Sequence, residues 1–98
     1  MSFIFSLLIA STPVTATAID PEAQAHAMKE AMMMADIGEA RHLLGAAPGA
    51  RFTGVGVGYS DKPKTCLPWE FKNPARTVIA DAIIKGDDGR NYRSRHWK

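Results

Sequence analysis

Cysteine is the scarcest reactive residue in this sequence, because Cys66 stands alone among 98 residues. A single cysteine cannot form an internal disulfide, which excludes the disulfide-stapled folds of many small secreted proteins. Stability must therefore come from packing, from a dimer or from a partner. The Cys66 thiol itself is predicted to be buried and inert or, as the alternative, to form an intermolecular disulfide.

Hydrophobic runs long enough to cross a bilayer are also lacking, since a membrane helix takes roughly 20 apolar residues. An uncharged, mostly apolar run at 3–10 precedes Ala16 and Ala18, which have the spacing that signal peptidases accept. We therefore predict a signal peptide over 1–18, a single small domain over 19–98, and a secreted or periplasmic protein. A lysine or arginine near Met1 is missing from this signal. The alternative is a buried N-terminal strand.

Cofactor and catalytic motifs are a third absence. The stretch "TGVGVGYS" at 53–60 has glycine at every second position, but a dinucleotide fingerprint needs its third glycine where Tyr59 stands, followed by a helix. Prolines follow instead. No acid pair, serine-histidine-aspartate set or metal-ligand spacing stands out elsewhere, so we predict no catalysis, no cofactor and no metal.

Methionine is abundant by contrast, in "HAMKEAMMM" at 26–34. Thioether sulfur binds Cu(I), and His26 could join it, so an envelope copper chaperone is an alternative function. Consecutive methionines on a helix point about 100° apart and cannot converge on one ion. We therefore favour packing in the core for Met28, Met32 and Met34.

A long helix is the first regular element that the sequence predicts. Asp20 can cap it, Pro21 suits its first position, and Glu22 suits the positive end of its dipole. Alanine recurs at every fourth position from 23 to 35, which places a narrow stripe of small side chains along a helix over about 21–44. Gly38 marks a break into a second short helix as the alternative. The opposite side of the helix carries Glu22, His26, Lys29, Glu30 and Asp36.

The glycine-rich stretch is interpreted as a strand with one bare face, since alternate residues of a strand point to opposite sides. Glycine weakens a strand unless another backbone comes close. We therefore predict that the alanine stripe of the helix packs on the face formed by Gly54, Gly56 and Gly58. The alternative turns Val55 and Val57 inward and leaves the glycines open to solvent or to a partner strand.

The C-terminal third predicts a β-hairpin. "RTVIADAII" has the β-branched content of a strand, and "GDDG" is typical of a turn. A three-residue loop with Gly89 in the left-handed region sets the register, and a two-residue turn is the alternative. The favoured register places Gly86 opposite Arg90, Asp81 opposite Arg95, Ile79 opposite Trp97, and Ile84 opposite Tyr92.

These elements predict an α+β fold, in which one long N-terminal helix packs on a three-stranded antiparallel sheet after a cleaved signal peptide. The strand order stays open. A proline-rich loop at 61–75 separates the first two strands.

The C-terminal strand is the best candidate for a contact surface, because it combines basic and aromatic residues without an acid. Such a strand can bind anions. For an exported protein we expect an anionic envelope component or an acidic protein partner, and no nucleic acid. The alternative is an edge strand whose arginines prevent aggregation. The candidate binding residues are Arg90, Tyr92, Arg93, Arg95, Trp97 and Lys98, with Trp69 from the loop.

The sequence thus predicts a small exported binding or interaction protein that has no catalytic activity and no permanent membrane span. A homodimer is compatible with this prediction. A thiol-dependent enzyme is a second alternative to it. Cysteine hydrolases need a histidine within hydrogen-bond reach of the thiol, and no histidine here has a sequence context that suggests one.

Overall fold

A computed structural model describes residues 16–66 and 76–98. The elements in these ranges are β1 (Ala16–Thr17), α1 (Pro21–Ile37), β2 (Phe52–Gly58), β3 (Thr77–Lys85) and β4 (Asn91–Trp97). Strands β2, β3 and β4 form an antiparallel sheet, and α1 packs on one face of it. The predicted α+β fold of one helix on three antiparallel strands is confirmed. Within these ranges, α1 lacks the length and apolar content to span a membrane.

The order of the strands across the sheet is β1, β3, β4, β2. The two residues of β1 pair in parallel with the start of β3, and the N–H of Ala18 continues this contact by donating to Val78 O at 2.9 Å. Most of the predicted signal peptide lies outside the described residues, and its cleavage stays a prediction. Cleavage after Ala18 would remove β1 from the sheet.

Helix α1 begins as predicted but ends earlier. The Asp20 side chain accepts a hydrogen bond from the N–H of Ala23 at 2.9 Å, and Pro21 occupies the first turn. Gly38 has φ 70° and donates its N–H to Met34 O, which is a left-handed helix end. The prediction of a helix to residue 44 is therefore wrong, and residues 39–45 do not form a second helix.

The alanine stripe is buried, but not against the glycines. Ala23, Ala27 and Ala31 have no exposed surface, and α1 packs on β3 and β4. Val55 lies opposite Ser94, whose hydroxyl contacts α1, so the valines of β2 face the helix and the glycines face away. The predicted packing of alanine on glycine is wrong because β4, rather than β2, lies under the helix.

A backbone does approach the glycine face, from another part of the chain. A Cβ atom added to Gly56 would overlap the carbonyl group of Lys64, and one added to Gly58 would meet Pro63. Residues 63–66, here called the 63–66 segment, therefore cover this face. The alternative interpretation was correct that Val55 and Val57 face inward. It was wrong that the glycines are open to solvent, because the 63–66 segment covers Gly56 and Gly58.

The buried side of α1 is wider than the alanine stripe. Met34 and Glu30 are fully buried, whereas Met28 and Met32 are 43% and 53% exposed. The prediction of methionine in the core holds for Met34 and is wrong for the other two. The prediction that Glu30 lies on the side away from the core is also wrong.

The β3–β4 hairpin follows the predicted register for most of its length. Gly89 has φ 81°, the N–H of Gly86 donates to Arg90 O at 2.8 Å, and Asp81 and Ile84 face their predicted partners, Arg95 and Tyr92. A bulge between Val78 and Ala80 shifts the last pair, so that Val78 faces Trp97. The predicted Ile79–Trp97 pair is therefore wrong.

Candidate functional site

Strand β4 lies inside the sheet, between β3 and β2. The alternative interpretation of β4 as an edge strand is therefore wrong. Tyr92 and Trp97 have no exposed surface, and Arg93 is 8% exposed. These three predicted contact residues are part of the interior, while Lys98 is exposed and Trp69 lies outside the described residues.

The arginines of β4 are engaged within the protein. Arg93 donates through Nε and Nη2 to the carboxylate of Asp81 at 2.8 and 2.7 Å, and through Nη1 to Pro63 O at 3.0 Å. Nε of Arg95 lies 3.4 Å from the same carboxylate. A paired, buried guanidinium cannot also serve an external anion without leaving Asp81 uncompensated. The two arginines therefore tie β4 to β3, and Arg93 also ties it to the 63–66 segment.

Arg90 closes the other end of the hairpin. Its Nη2 donates to Gly38 O and to the hydroxyl of Tyr92, both at 2.9 Å, and its Nε donates to Asp88 at 2.9 Å. The hydroxyl of Tyr92 donates to Asp88 at 2.5 Å. Hydrogen bonds from Tyr92 and from the Arg90 N–H lower the pKa of Asp88 to about 2. Arg90 thus serves the end of α1, although it stays partly exposed.

A buried polar network lies between α1 and β4. The hydroxyl of Ser94 is 2.7 Å from Oε1 of Glu30 and 2.9 Å from Nε2 of His96, and none of the three residues has exposed surface. The composition resembles a serine-histidine-acid triad, which the sequence did not reveal because its members lie up to 66 positions apart.

The hydrogen-bond directions exclude a nucleophilic serine here. The N–H of Ala47 donates to Nδ1 of His96 at 3.1 Å, so Nδ1 carries no proton and the ring hydrogen is on Nε2. Nε2 then donates to Ser94, and Ser94 donates to Glu30. In a serine hydrolase the proton moves from serine to histidine. The network is therefore structural.

Glu30 also holds the chain that follows α1. Its Oε2 accepts the N–H groups of Leu43 and Leu44 at 3.0 and 2.9 Å. Burial by itself raises the pKa of a carboxyl group, but interactions with His96 and hydrogen bonds from Leu44 and Ser94 outweigh it and lower the pKa of Glu30 to about 2. Glu30 is thus a buried carboxylate whose charge is satisfied by hydrogen bonds.

A thiol–imidazole pair lies on the surface beside this network. Sγ of Cys66 is 3.5 Å from Nε2 of His42, and both residues are exposed. The prediction that the thiol is buried is therefore wrong. Sequence reasoning missed the pair because 23 residues separate its members, and His42 fell inside the predicted helix.

The thiol is anchored to the sheet by main-chain hydrogen bonds. The N–H of Cys66 donates to Val55 O at 3.0 Å, and the N–H of Val55 donates to Sγ at 3.4 Å. The sulfur therefore lies between a main-chain donor and an imidazole. This arrangement gives the thiol proton an acceptor in His42 and gives a thiolate a second hydrogen bond.

Other surface features carry less chemistry. A cleft of about 590 Å³ opens between the start of α1, residues 48–49, the start of β3 and Lys98, and its lining includes Asp20, which already caps the helix. Across the two described ranges, His, Cys, Asp and Glu form no group of three or more that could hold a metal ion. The imidazole of His26 is 3.1 Å from Gly45 O.

No family model, curated protein or solved structure matches this chain.

Proposed function

We propose that the protein acts through Cys66 as a nucleophilic thiol in thiol–disulfide exchange, with His42 as the proton acceptor. The observation that carries this proposal is the 3.5 Å contact between Sγ and Nε2 at an exposed position. A solvent-accessible thiol next to a base is the arrangement that activates cysteine nucleophiles.

The exchange balances without a cofactor. The Cys66 thiol gives its proton to Nε2 of His42, and the sulfur attacks one sulfur of an external disulfide. The S–S bond of that disulfide breaks as the new Cys66 S–S bond forms, and the departing thiolate takes the proton from His42. The products are a mixed disulfide at Cys66 and a free thiol.

The predicted export fits this chemistry, because disulfides persist in oxidising compartments. The predicted intermolecular disulfide would follow from a second exchange, in which the thiolate of a second copy or of a partner attacks Cys66 Sγ in the mixed disulfide and the other half of that disulfide leaves as a thiol. We retain a secreted or periplasmic location as part of the proposal.

We expect His42→Ala to slow exchange between Cys66 and an aromatic disulfide that releases a coloured thiolate. A hydrogen bond to a charged group contributes about 1.5 kcal/mol, so the rate constant at neutral pH should fall roughly tenfold. Stopped-flow absorbance measures it. Arg41→Ala is the matched control, because this exposed neighbour contacts Glu39 rather than the thiol. Equal rates for the wild type and His42→Ala would contradict the role of His42.

A second candidate is the predicted interaction protein, with a different surface from the one the sequence indicated. Met28 and Met32 lie one turn apart on the outer side of α1 and are 43% and 53% exposed. A small groove of about 130 Å³ between α1 and the β3–β4 turn adjoins Met32. Exposed methionine is typical of adaptable protein-binding surfaces.

If this face joins two copies of the chain, Met28→Ser with Met32→Ser should shift a dimer to monomer in sedimentation equilibrium under reducing conditions. Tyr59→Ser is the control, because Tyr59 is 78% exposed but lies just beyond the end of β2. A wild-type protein that stays monomeric at every concentration tested would remove the methionine face as a dimer contact.

A further inference from the structure

We infer that Glu30 is the positioning residue that holds His42 against Cys66, an inference that rests on the proposed thiol function. Residues 39–47, here called the 39–47 segment, have no helix or strand to fix them. His42 is exposed within this segment, so the position of its ring depends on how the main chain around it is held, by the packing of Ala40 and Leu43 on the core and by hydrogen bonds.

The two residues after His42 are held by one atom. Oε2 of Glu30 accepts both the Leu43 and the Leu44 N–H, at 3.0 and 2.9 Å. Two successive N–H groups that converge on one anionic oxygen fix the main-chain orientation on either side of their peptide bond. This contact therefore sets the direction in which the chain leaves His42.

Glu30 is itself fixed from the opposite side. Its Oε1 accepts the Ser94 hydroxyl at 2.7 Å, and Ser94 lies in the central strand β4. Neither Glu30 nor Ser94 has exposed surface, so water does not compete for these contacts. The carboxylate is thus a rigid link from the sheet to the 39–47 segment.

Two further contacts hold this segment farther along the chain. The ring of His26 contacts Gly45 O at 3.1 Å, and His96 accepts the N–H of Ala47 at 3.1 Å. They lie three and five residues beyond His42, whereas the Glu30 contact is immediately adjacent to it. Of these side chains, Glu30 therefore holds the main chain nearest to His42.

Cys66 reaches the same sheet by an independent route. Its N–H donates a hydrogen bond to Val55 O, and its sulfur accepts one from the N–H of Val55 in β2. Strand β2 in turn pairs with β4. Both members of the pair are thus held in place by the same sheet. Cys66 is held through Val55, and His42 is held through Glu30. Loss of the Glu30 contact should separate them without changing Cys66 or its own anchor.

The test is a double-mutant cycle on the alkylation of Cys66 by iodoacetamide in the full chain. Glu30→Gln keeps the size of the side chain but replaces one acceptor oxygen by an NH₂ donor. We expect it to slow alkylation by about as much as His42→Ala does, roughly tenfold. In the His42→Ala background, Glu30→Gln should then have no further effect. Glu39→Gln is the matched control, since it makes the same chemical change at an exposed position of the 39–47 segment.

The outcomes separate this inference from the proposed function. If His42→Ala slows alkylation and Glu30→Gln does not, Glu30 is not the positioning residue. The proposed role of His42 beside Cys66 is then still supported. If Glu30→Gln slows alkylation equally with and without His42, it acts through general loss of structure and the inference fails. If His42→Ala has no effect, the proposed function fails first.

A measurement on the wild type serves if Glu30→Gln does not fold. Hydrogen exchange followed by NMR should find the amides of Leu43 and Leu44 protected, whereas the amides of the exposed Arg41 and His42 exchange fast. Equally fast exchange at all four amides would show that Glu30 does not hold the segment.

Discussion

Gly56→Ala is expected to destabilise the protein strongly and to detach the 63–66 segment from β2. A Cβ atom at residue 56 would overlap the carbonyl oxygen of Lys64, lie 2.8 Å from its carbonyl carbon and lie 3.3 Å from Cα of Thr65. These are main-chain atoms, which cannot rotate away as a side chain can. Overpacking of this kind costs about 3 kcal/mol, and urea unfolding measures the change.

Gly58→Ala is the matched control for this prediction. An added Cβ atom at residue 58 would meet Pro63 Cβ at 3.6 Å, which is an ordinary contact, and the strand would lose a flexible residue. We expect its free energy of unfolding to stay within about 1 kcal/mol of the wild type. In Gly56→Ala the alkylation of Cys66 should also become independent of His42. Equal stability of the two alanine variants would contradict the described packing of the 63–66 segment.

Acid is expected to remove the contribution of Glu30 to stability over a defined range of pH. The pKa of Glu30 is about 2 in the folded protein, against an ordinary value of 4.5. A lowered folded-state pKa stabilises the protein fully above the unfolded value, and this stabilisation is lost as the pH falls from about 4.5 towards 2. The difference corresponds to about 3 kcal/mol, a large share of the roughly 5–15 kcal/mol that stabilises a typical domain.

The measurement is the free energy of urea unfolding at a series of pH values. Glu30→Gln should be less stable at neutral pH and should lose less stability than the wild type in the acid range. Asp88→Asn is the control, because Asp88 also has a lowered pKa but is exposed at the hairpin turn, where solvent screens it. An acid transition of the same size in the wild type and in Glu30→Gln would contradict the account of this carboxylate.

Local chemistry made the fold predictable from the sequence. Asp20 and Pro21 start α1 through contacts within four residues, and Gly89 sets the hairpin register through its own left-handed conformation. Each of these signals depends on neighbours in sequence, which is why the α+β class and most of the hairpin register could be predicted.

Packing partners were harder to predict, because alanine and glycine allow close approach but do not specify which segment approaches. The alanines of α1 and the glycines of β2 both needed a close approach, and pairing them with each other was the simplest solution. In the structure the alanines meet β3 and β4, and Gly56 meets Lys64. The position of β4 in the middle of the sheet decides between these solutions, and strand order is not encoded locally.

The candidate site was predicted least well, for two physical reasons. Asp81 was correctly placed opposite Arg95, but its carboxylate also binds Arg93, so charges that looked available in the sequence are neutralised inside the protein. Glu30 was placed on the far side of α1, but at about 100° per residue it falls within about 20° of Ala23, on the buried side of the helix. His42 and Cys66 come from two irregular segments, whose meeting depends on the contacts of Glu30 and Gly56 rather than on any repeat or spacing.

Nuclear Overhauser contacts in the reduced wild type can show whether His42 and Cys66 meet on the surface of the folded protein. With Nε2 and Sγ 3.5 Å apart, ring protons of His42 should show cross-peaks to the β-protons of Cys66 in the reduced wild type. The same cross-peaks should vanish in Gly56→Ala. Assigned, sharp resonances for both residues with no cross-peak between them in the wild type would contradict the account.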